Sequence, residues 1–572
     1  MLISLLIVMA IRLAIPWLNL GGWASLALDI AVLRAVWSVF ETRQFLRILK
    51  EWSFLRVRDH KQVQKRFTLD IIVSSLKITS LFFVILWFSR WLIGYKNVLY
   101  FSIDPQQLTY LDVFIFCQVT AWILEAGYIR RLLLRSQMTI GRQILLQYGV
   151  AILIATPLLL MPFSLNPGEE LSFIDAIFVA VSAISVTGLS PVDIGSVFSQ
   201  TGLMIILILI QLGGLGIILV IAGFSIARFG RMSMNTILMG QEMYGSRVGD
   251  VPSFLGRVVM LTLTIEAIGF LLLYMCLPSD TSERVFTALF HSVSAFCNAG
   301  ISTFSSGLQE SPFHFFALVV VGLLIIIGGM GFPIILDILS ILRSPKKGFG
   351  HLSAYTKLTL LVMGILLVMG SVLFFAFETV RPDEQIGFFS RLGYSIFYSV
   401  SSRTAGFGVA PAGALHASSL FFLSFLMLLG ANPSSTGSGI KTTTVGVLFL
   451  AIYNSILGKS QVVFAGRAIP ATVVSRALTV VALHLFVACI ALVILVLVEP
   501  LPMGPLAFEV VSALSTVGFS MGITPELSVF GKVIIITLML AGRFGILAVL
   551  LMSIGNSANV RIHYPEDEFF VG

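Results

Sequence analysis

An all-α polytopic membrane protein is the fold class this sequence predicts, and three observations predict it. Of the 572 residues, 57% are hydrophobic and only 11% are charged, with a mean hydropathy of +0.99; soluble domains carry roughly 25% charged residues. The charges gather in short segments between apolar runs of the ~20 residues a bilayer requires. A short glycine-centred motif also recurs four times along the chain. A core able to bury this much apolar surface in water is implausible, whereas helices satisfy every backbone polar group within lipid.

Taken in order, candidate spans fall near 2–19, 23–42, 69–93 and 110–129, then near 144–163, 200–226, 257–277, 314–342, 357–377, 418–456, 478–498 and 531–554. The first is the weakest. It resembles a signal peptide in length, but no charge precedes it and Arg12 and Pro16 interrupt it, so a retained helix is expected. The segment 418–456 is too long for one span and its middle is not apolar.

Orientation follows from Lys and Arg. Arg43, Arg47, Lys50, Arg56, Arg58, Lys61, Lys65 and Arg66 crowd into 43–66, and Arg130, Arg131, Arg135 and Arg142 follow the fourth span. Arg228, Arg231, Arg247, Arg343, Lys346, Lys347, Lys459 and Arg467 fall on the same side. The opposite segment 164–199 holds Glu169, Glu170, Asp175 and Asp193 and no Lys or Arg. Both termini are thus expected in the cytoplasm. The net charge of +8 is explained by topology and does not call for nucleic acid; segment 43–66 suits anionic lipid. Cys117, Cys276, Cys297 and Cys489 show no CxxC spacing; three read as small core residues, and Cys297 differs only in its place at one of the glycine motifs described next.

Between the spans of each of the last four pairs lies an apolar stretch too short to cross. It reads as a re-entrant half-helix, allowed at membrane depth only where it lines a cavity. The stretches end in Ser185-Val186-Thr187-Gly188-Leu189-Ser190, Cys297-Asn298-Ala299-Gly300-Ile301-Ser302, Arg403-Thr404-Ala405-Gly406-Phe407-Gly408 and Ser515-Thr516-Val517-Gly518-Phe519-Ser520. Val-Ser-Ala precedes three of them at one offset (Val181, Val293, Val511), with Ser399-Val400-Ser401 in the other. A further glycine follows in each next span: Gly213, Gly328, Gly430 and Gly542. Internal repetition at a near-fixed period is the strongest organisational signal here. One such unit cannot enclose a pore, but four around an axis can. A glycine at the end of each half-helix can take backbone angles that turn its carbonyl toward the axis.

With these motifs in hand, the chain resembles the pore subunit of the Trk/Ktr/HKT superfamily of potassium transporters, most closely the bacterial Ktr and Trk subunits, over about 144–572. Gln211-Leu212-Gly213-Gly214-Leu215-Gly216, Gly328-Gly329-Met330-Gly331-Phe332-Pro333, the run Gly430 to Thr444, Gly542-Arg543-Phe544-Gly545 and Tyr564-Pro565-Glu566-Asp567-Glu568 join the four glycine motifs in one order. The resemblance implies four pseudo-symmetric M1–P-loop–M2 repeats at 144–230, 255–343, 355–457 and 470–556. Extra N-terminal helices occupy 1–140 and a cytoplasmic tail occupies 557–572.

The implied function is potassium uptake across the bacterial cell inner membrane, with sodium coupling or sodium permeation left open and no covalently bound cofactor. Its selectivity filter comprises Thr187, Gly188, Asn298, Ala299, Gly300, Thr404, Ala405, Gly406, Thr516, Val517 and Gly518. Potassium would meet the carbonyls of Val186, Thr187, Asn298, Ala299, Thr404, Ala405, Thr516 and Val517. In plant members a serine at the first filter glycine goes with sodium transport; glycine at 188 favours potassium. Asn298 and Arg403 make the four filters chemically unequal, which predicts loose discrimination against sodium, and the Asn298 amide is expected to face ion or water.

A gate is implied at 430–441, within Gly430, Pro433, Ser434, Ser435, Thr436, Gly437, Ser438, Gly439 and Lys441, with Arg543 below the filter. Composition alone allows a kink or an extra-membrane loop there, with a backbone poorly tied into helix. Gly213, Gly214, Gly328 and Gly329 are expected at helix contacts. Glu125, Glu266, Asp29, Asp70, Asp337 and His484 lie in or near spans, Glu266 being the best candidate for an ion pair. The family further implies a homodimer in lipid and a separate cytosolic ring of nucleotide-binding regulatory subunits. Without HExxH or GxSxG, an enzyme is not expected. A rocking secondary cation transporter, coupled to sodium or protons, is the alternative, and four repeats in one orientation argue against it.

Overall fold

The computed structural model describes residues 140–216, 251–278, 283–304, 308, 315–343, 352–378, 387–409, 413, 415–459 and 461–545. The chain divides into two units, Met1–Gln137 and Met138–Gly572, and all described residues belong to the second. The expected spans before 130, the basic segment 43–66, the tail 557–572 and Asp29, Asp70 and Glu125 lie outside the described residues.

The described part is almost wholly helical, and a long helix, a short helix and a further helix follow one another four times. The first group is α1 (Ile140–Leu159), α2 (Phe173–Ser185) and α3 (Gln200–Leu215). The second is α4 (Val251–Cys276), α5 (Arg284–Cys297), α6 (Phe315–Met330) and α7 (Phe332–Arg343). The third is α8 (Ala354–Glu378), α9 (Phe388–Ser401), α10 (Ala417–Leu428) and α11 (Thr442–Ile456). The fourth is α12 (Ala471–Val498), α13 (Met503–Leu514) and α14 (Val529–Phe544). Among the described residues three helices are long and apolar enough to cross a membrane: Phe254–Cys276, Ala354–Glu378 and Ala471–Val498. Their outer faces stay apolar and uncovered. Leu361, Ile365, Val368 and Val372 are all more than half exposed on α8, at the four- and three-residue steps of one helix face. Lipid is the solvent that suits such a face.

The short helices differ. Each has 12 to 14 residues, about 20 Å at 1.5 Å per residue, too little to cross. Their C-terminal halves are buried, except for Ile396 of α9, which is 46% exposed, and the half-buried Val511 of α13. Helix starts are set locally: the hydroxyls of Ser172, Ser199 and Ser528 accept the N–H groups of Asp175, Gly202 and Gly531, satisfying donors that have no partner within the helix.

Apolar cores join the groups in succession. One core mixes α1 to α3 with Phe290, Val293 and Phe296 of α5. A second mixes α4 to α6 with Phe397, Tyr398 and Val400 of α9. A third unites Phe178, Val181 and Leu189 with Leu506, Val510, Ile535 and Met539 of the fourth group. Lys532 of α14 and Asp175 of α2 pair across that last junction at 2.7 Å.

Three sequence expectations need correction. The single span 314–342 is broken: α6 and α7 meet at 102°. Gly331 stands there at φ +91°, and Pro333, lacking an N–H, suits the first turn of the new helix. The segment 418–456 is divided into α10 and α11, as its composition predicted. The intervening stretch, expected to be poorly tied, is instead tightly bonded, as described below. Nor is the chain purely α: Val462–Phe464 and Arg467–Ile469 form an antiparallel hairpin between the third and fourth groups. Its turn residues Ala465 and Gly466 both have positive φ, the geometry that matches the twist of paired strands.

Candidate functional site

The four glycines of the recurring motif, more than a hundred residues apart in sequence, come together in a closed circuit. A Cβ built on Gly188 would lie 3.3 Å from the Cα of Gly300, one on Gly300 would lie 3.1 Å from Gly406, one on Gly406 would lie 3.0 Å from Gly518, and one on Gly518 would lie 3.0 Å from Gly188. Each would also overlap the carbonyl oxygen of the residue before the next glycine, namely Ala299, Ala405, Val517 and Thr187. Four backbone segments therefore touch edge to edge, with no room for a side chain at the contact. All four glycines have positive φ, between 66° and 101°, where any other residue is strained.

The residue two places before each glycine is also left-handed: Val186, Asn298, Thr404 and Thr516, at φ 59°, 60°, 72° and 49°. Val186 and Asn298 cap α2 and α5, whereas Thr404 and Thr516 follow the caps of α9 and α13, Ser402 and Ser515. The N–H groups of Val186 and Thr187 bond back to Ala183 and Ser182, and those of Asn298 and Ala299 to Ala295 and Ser294. The C-terminal ends of the short helices thus run directly into the circuit, bringing their partial negative charge.

Serine hydroxyls hold the segments from behind. Ser182 and Ser512 accept the N–H of Gly188 and Gly518, each at 3.1 Å. Ser294 and Ser401 donate to the carbonyls of Ile301 and Phe407, each at 2.7 Å. These serines belong to the Val-Ser-Ala runs and the Ser-Val-Ser run. Their recurrence was legible in the sequence, but their bonding was not.

Side chains beside the circuit depart from the sequence reading at two points. The Asn298 carboxamide was expected to face an ion or water. It is fully buried, and with its amide oriented to satisfy the surrounding carbonyls its nitrogen donates to Ala295 O at 3.0 Å and Ile325 O at 3.2 Å, so it is a packed amide. Glu266 was expected in an ion pair, yet its partner is neutral: Gln211 Nε2 donates to Glu266 Oε2 at 3.1 Å. Cys297 is buried beside both, as its apolar surroundings suggested. Arg403 is 8% exposed and lines an apolar pocket with Ile325, Met363, Leu367 and Val400. His484 turns back on its own helix, with Nδ1 3.1 Å from Val480 O.

The second-span glycines are close helix contacts. A Cβ on Gly213, Gly328 or Gly542 would overlap the carbonyl of Ile184, Phe296 or Leu514, each four residues before a motif glycine. Gly214 packs on Cys297, and Gly329 on Asn298. The third group departs: Gly430 packs on its own loop, against Ser438 and Gly439.

That loop, 430–441, is closed at its base by the pairing of Leu429 with Ile440 and by Ala431 N donating to Ser438 O. It caps the broken helix. Asn432 N and Thr436 N donate to Gly329 O and Gly328 O, Asn432 Nδ2 donates to Met330 O, and Ser434 O accepts from Phe332 N. The carbonyls stranded at the end of α6 are thereby satisfied. Above, Gly437 presses on the Thr404 side chain, and Thr436 Oγ1 donates to Phe296 O. Below, Lys441 Nζ donates to Gly437 O at 2.8 Å. The Arg543 guanidinium donates to both Thr436 O and Gly213 O. The structure therefore brings Gly430 to Lys441 and Arg543 together, against the short-helix ends.

With this geometry established, likeness to known proteins is informative. A family model described as a cation transport protein, TrkH, matches residues 131–560. The chain is 36% identical to the Ktr system potassium uptake protein B of Vibrio alginolyticus, over 75% of this chain and 94% of that protein. It is 33% identical to the potassium/sodium uptake protein NtpJ of Enterococcus hirae, over 74% of this chain and 95% of that protein. The crystal structure of the potassium transporter TrkH from Vibrio parahaemolyticus matches with a TM-score of 0.60 at 16% identity, covering 84% of this chain and 96% of that one. The agreement of sequence and fold over most of the length has one meaning: the chain belongs to the TrkH family of cation transport proteins.

Proposed function

We propose that this chain takes up potassium through a pore whose narrowest part is the circuit of Gly188, Gly300, Gly406 and Gly518. The observation that carries this reading is closure: the four segments touch in the order of their repeats and the fourth returns to the first. Four pseudo-symmetric repeats then surround one axis. Left-handed residues two apart in each segment turn carbonyls of Val186, Thr187, Asn298, Ala299, Thr404, Ala405, Thr516 and Val517 toward that axis, where they replace the hydration shell of potassium. Among the described residues the buried hydroxyls Thr404 Oγ1 and Thr516 Oγ1 have no hydrogen-bond partner, which leaves both hydroxyls beside the circuit uncommitted to the scaffold. One glycine per segment and four unequal sequences give few ion sites, so sodium permeates as well.

The loop 430–441, clasped by Arg543, lies across the path as the gate. A membrane potential of ~100 mV supplies ~2.3 kcal/mol per charge, enough for roughly fiftyfold accumulation. In this reading the protein sits in the bacterial inner membrane with both termini cytoplasmic. It pairs as a homodimer with one pore per protomer, and a cytosolic nucleotide-binding ring regulates it. Uptake into proteoliposomes under an imposed potential, potassium against sodium, is the test. Potassium flux exceeding sodium flux is expected. Flux of neither ion, with protein inserted, would overturn the assignment.

A further inference from the structure

Beyond each glycine the chain turns away, and the turn is built alike in three repeats. Ser190, Ser302 and Ser520 stand two residues after their glycines, and each hydroxyl accepts the N–H two residues on, from Val192 at 3.3 Å, Phe304 at 3.1 Å and Gly522 at 3.0 Å. The third repeat has Gly408 there.

In two of these turns the short helix adds a second grip, always from nine residues before the glycine. His291 and Glu509 occupy that position in the second and fourth repeats, and Val179 and Phe397 in the first and third. Both polar side chains are fully buried. His291 Nδ1 lies 2.8 Å from Thr287 O. A carbonyl only accepts, so the neutral ring carries its proton on Nδ1 and offers Nε2 as an acceptor. Nε2 lies 3.1 Å from Ser302 Oγ, and Ser302 therefore donates to it. In the fourth repeat the Thr524 hydroxyl donates to Glu509 Oε1. Having spent its proton there, Thr524 Oγ1 accepts from Ser520 Oγ, 3.0 Å away.

The two arrangements share one outcome. Each serine proton points back into the scaffold, and each oxygen, with one lone pair on the turn N–H, has no further hydrogen-bond donor among the described residues. Ser190 is different: its proton goes to Val192 O within its own turn, at 2.6 Å. The oriented serines belong to repeats that face each other across the circuit.

We infer that Ser302 and Ser520 form a binding site for a partly dehydrated monovalent cation just beyond the glycine circuit, and that His291 and Glu509 are positioning residues that aim their oxygens at it. This rests on the pore reading above. Hydroxyl oxygens suit potassium and sodium as ligands, and a lip site of this kind sets how readily an arriving ion exchanges water for protein.

The test is the external potassium concentration giving half-maximal uptake in proteoliposomes, with the maximal rate and melting temperature measured on the same protein. His291→Phe and Glu509→Val install the residue types of the other two repeats, and Ser302→Ala and Ser520→Ala remove the ligands themselves. Each is expected to raise the half-saturating concentration about three- to tenfold, the effect of losing one oriented hydroxyl contact. Glu509→Gln, whose amide oxygen can still accept from Thr524, is expected to stay near wild type. His291→Phe combined with Ser302→Ala should shift no further than either alone, because both act through one oxygen. Unchanged half-saturation in the serine variants overturns the inference, as does a shift in the His291 and Glu509 variants that the serine variants do not share. Gly300→Ser in the same vesicles separates the two readings. If it disturbs ion preference while the serine variants are silent, the lip site alone falls; if it too is silent, the pore reading falls.

Discussion

Gly300 and Gly406 illustrate how little freedom the circuit leaves to a single residue. A serine at either position meets two penalties. Its φ, +66° or +69°, is strained for a side chain, at about 1–3 kcal/mol. Its Cβ would also overlap the carbonyl of Ala405 or Val517, one of the groups proposed to meet the ion. Gly300→Ser and Gly406→Ser are therefore expected to lower potassium uptake about tenfold or more and to reduce potassium-over-sodium preference, while the protein still inserts. Uptake and preference both unchanged in paired proteoliposome assays would sink the filter assignment. Asn298 teaches the converse lesson. Its filter position suggested an ion-facing amide, but the left-handed backbone of the helix end directs the side chain into the scaffold, where Ala295 and Ile325 take its hydrogens.

The loop 430–441 is a small element held by identifiable bonds, so its release can be predicted bond by bond. Composition suggested a slack segment; the broken end of α6 supplied partners that composition could not reveal. Arg543, placed below the filter by the family resemblance, commits its guanidinium to Thr436 O and Gly213 O, which makes it a clasp on the loop. Arg543→Ala and deletion within 433–438 are expected to raise potassium flux and leave ion preference largely intact. Asn432→Ala, which removes the bond to Met330 O and the one accepted from Thr442 Oγ1, should act in the same direction. One net hydrogen bond of about 1 kcal/mol corresponds to about fivefold in the open population. Liposome flux at equal protein loading tests all three, and variants that insert normally but conduct no faster than wild type would mean that the gate lies elsewhere.

At the scale of the whole molecule the fourth group must return to the first. The apolar core around Phe178 and Leu514 and the Lys532–Asp175 pair make that closure. The pair's side chains are 11% and 15% exposed, between the surface and the fully buried cases. Lys532→Met should therefore cost roughly 1–3 kcal/mol, read as a lower melting temperature in detergent, and Asp175→Asn should match it if the two act as a pair. A melting temperature unchanged in both would remove the pair from the closure. Orientation is testable at the same scale: a cysteine near Asp193 should label from outside the cell, and tags at both termini should be protected. The reverse labelling would point the circuit the wrong way.

Composition and charge were sufficient for the membrane class, because apolar content on this scale has no other solvent. The four motif glycines and the serines around them were visible as repeats, since each position must meet the same local backbone demand. Which segments touch was not legible. Closure of the circuit and the union of Gly437 with Thr404 and of Arg543 with Gly213 join residues up to several hundred positions apart. Contacts of that kind depend on how separate helices pack, and one sequence read along its length carries the local preferences of each helix but not the geometry between them. The 102° break after Met330 belongs with these. Gly331 and Pro333 permit it, but the neighbouring loop's bonds to the freed carbonyls and to Phe332 stabilise it.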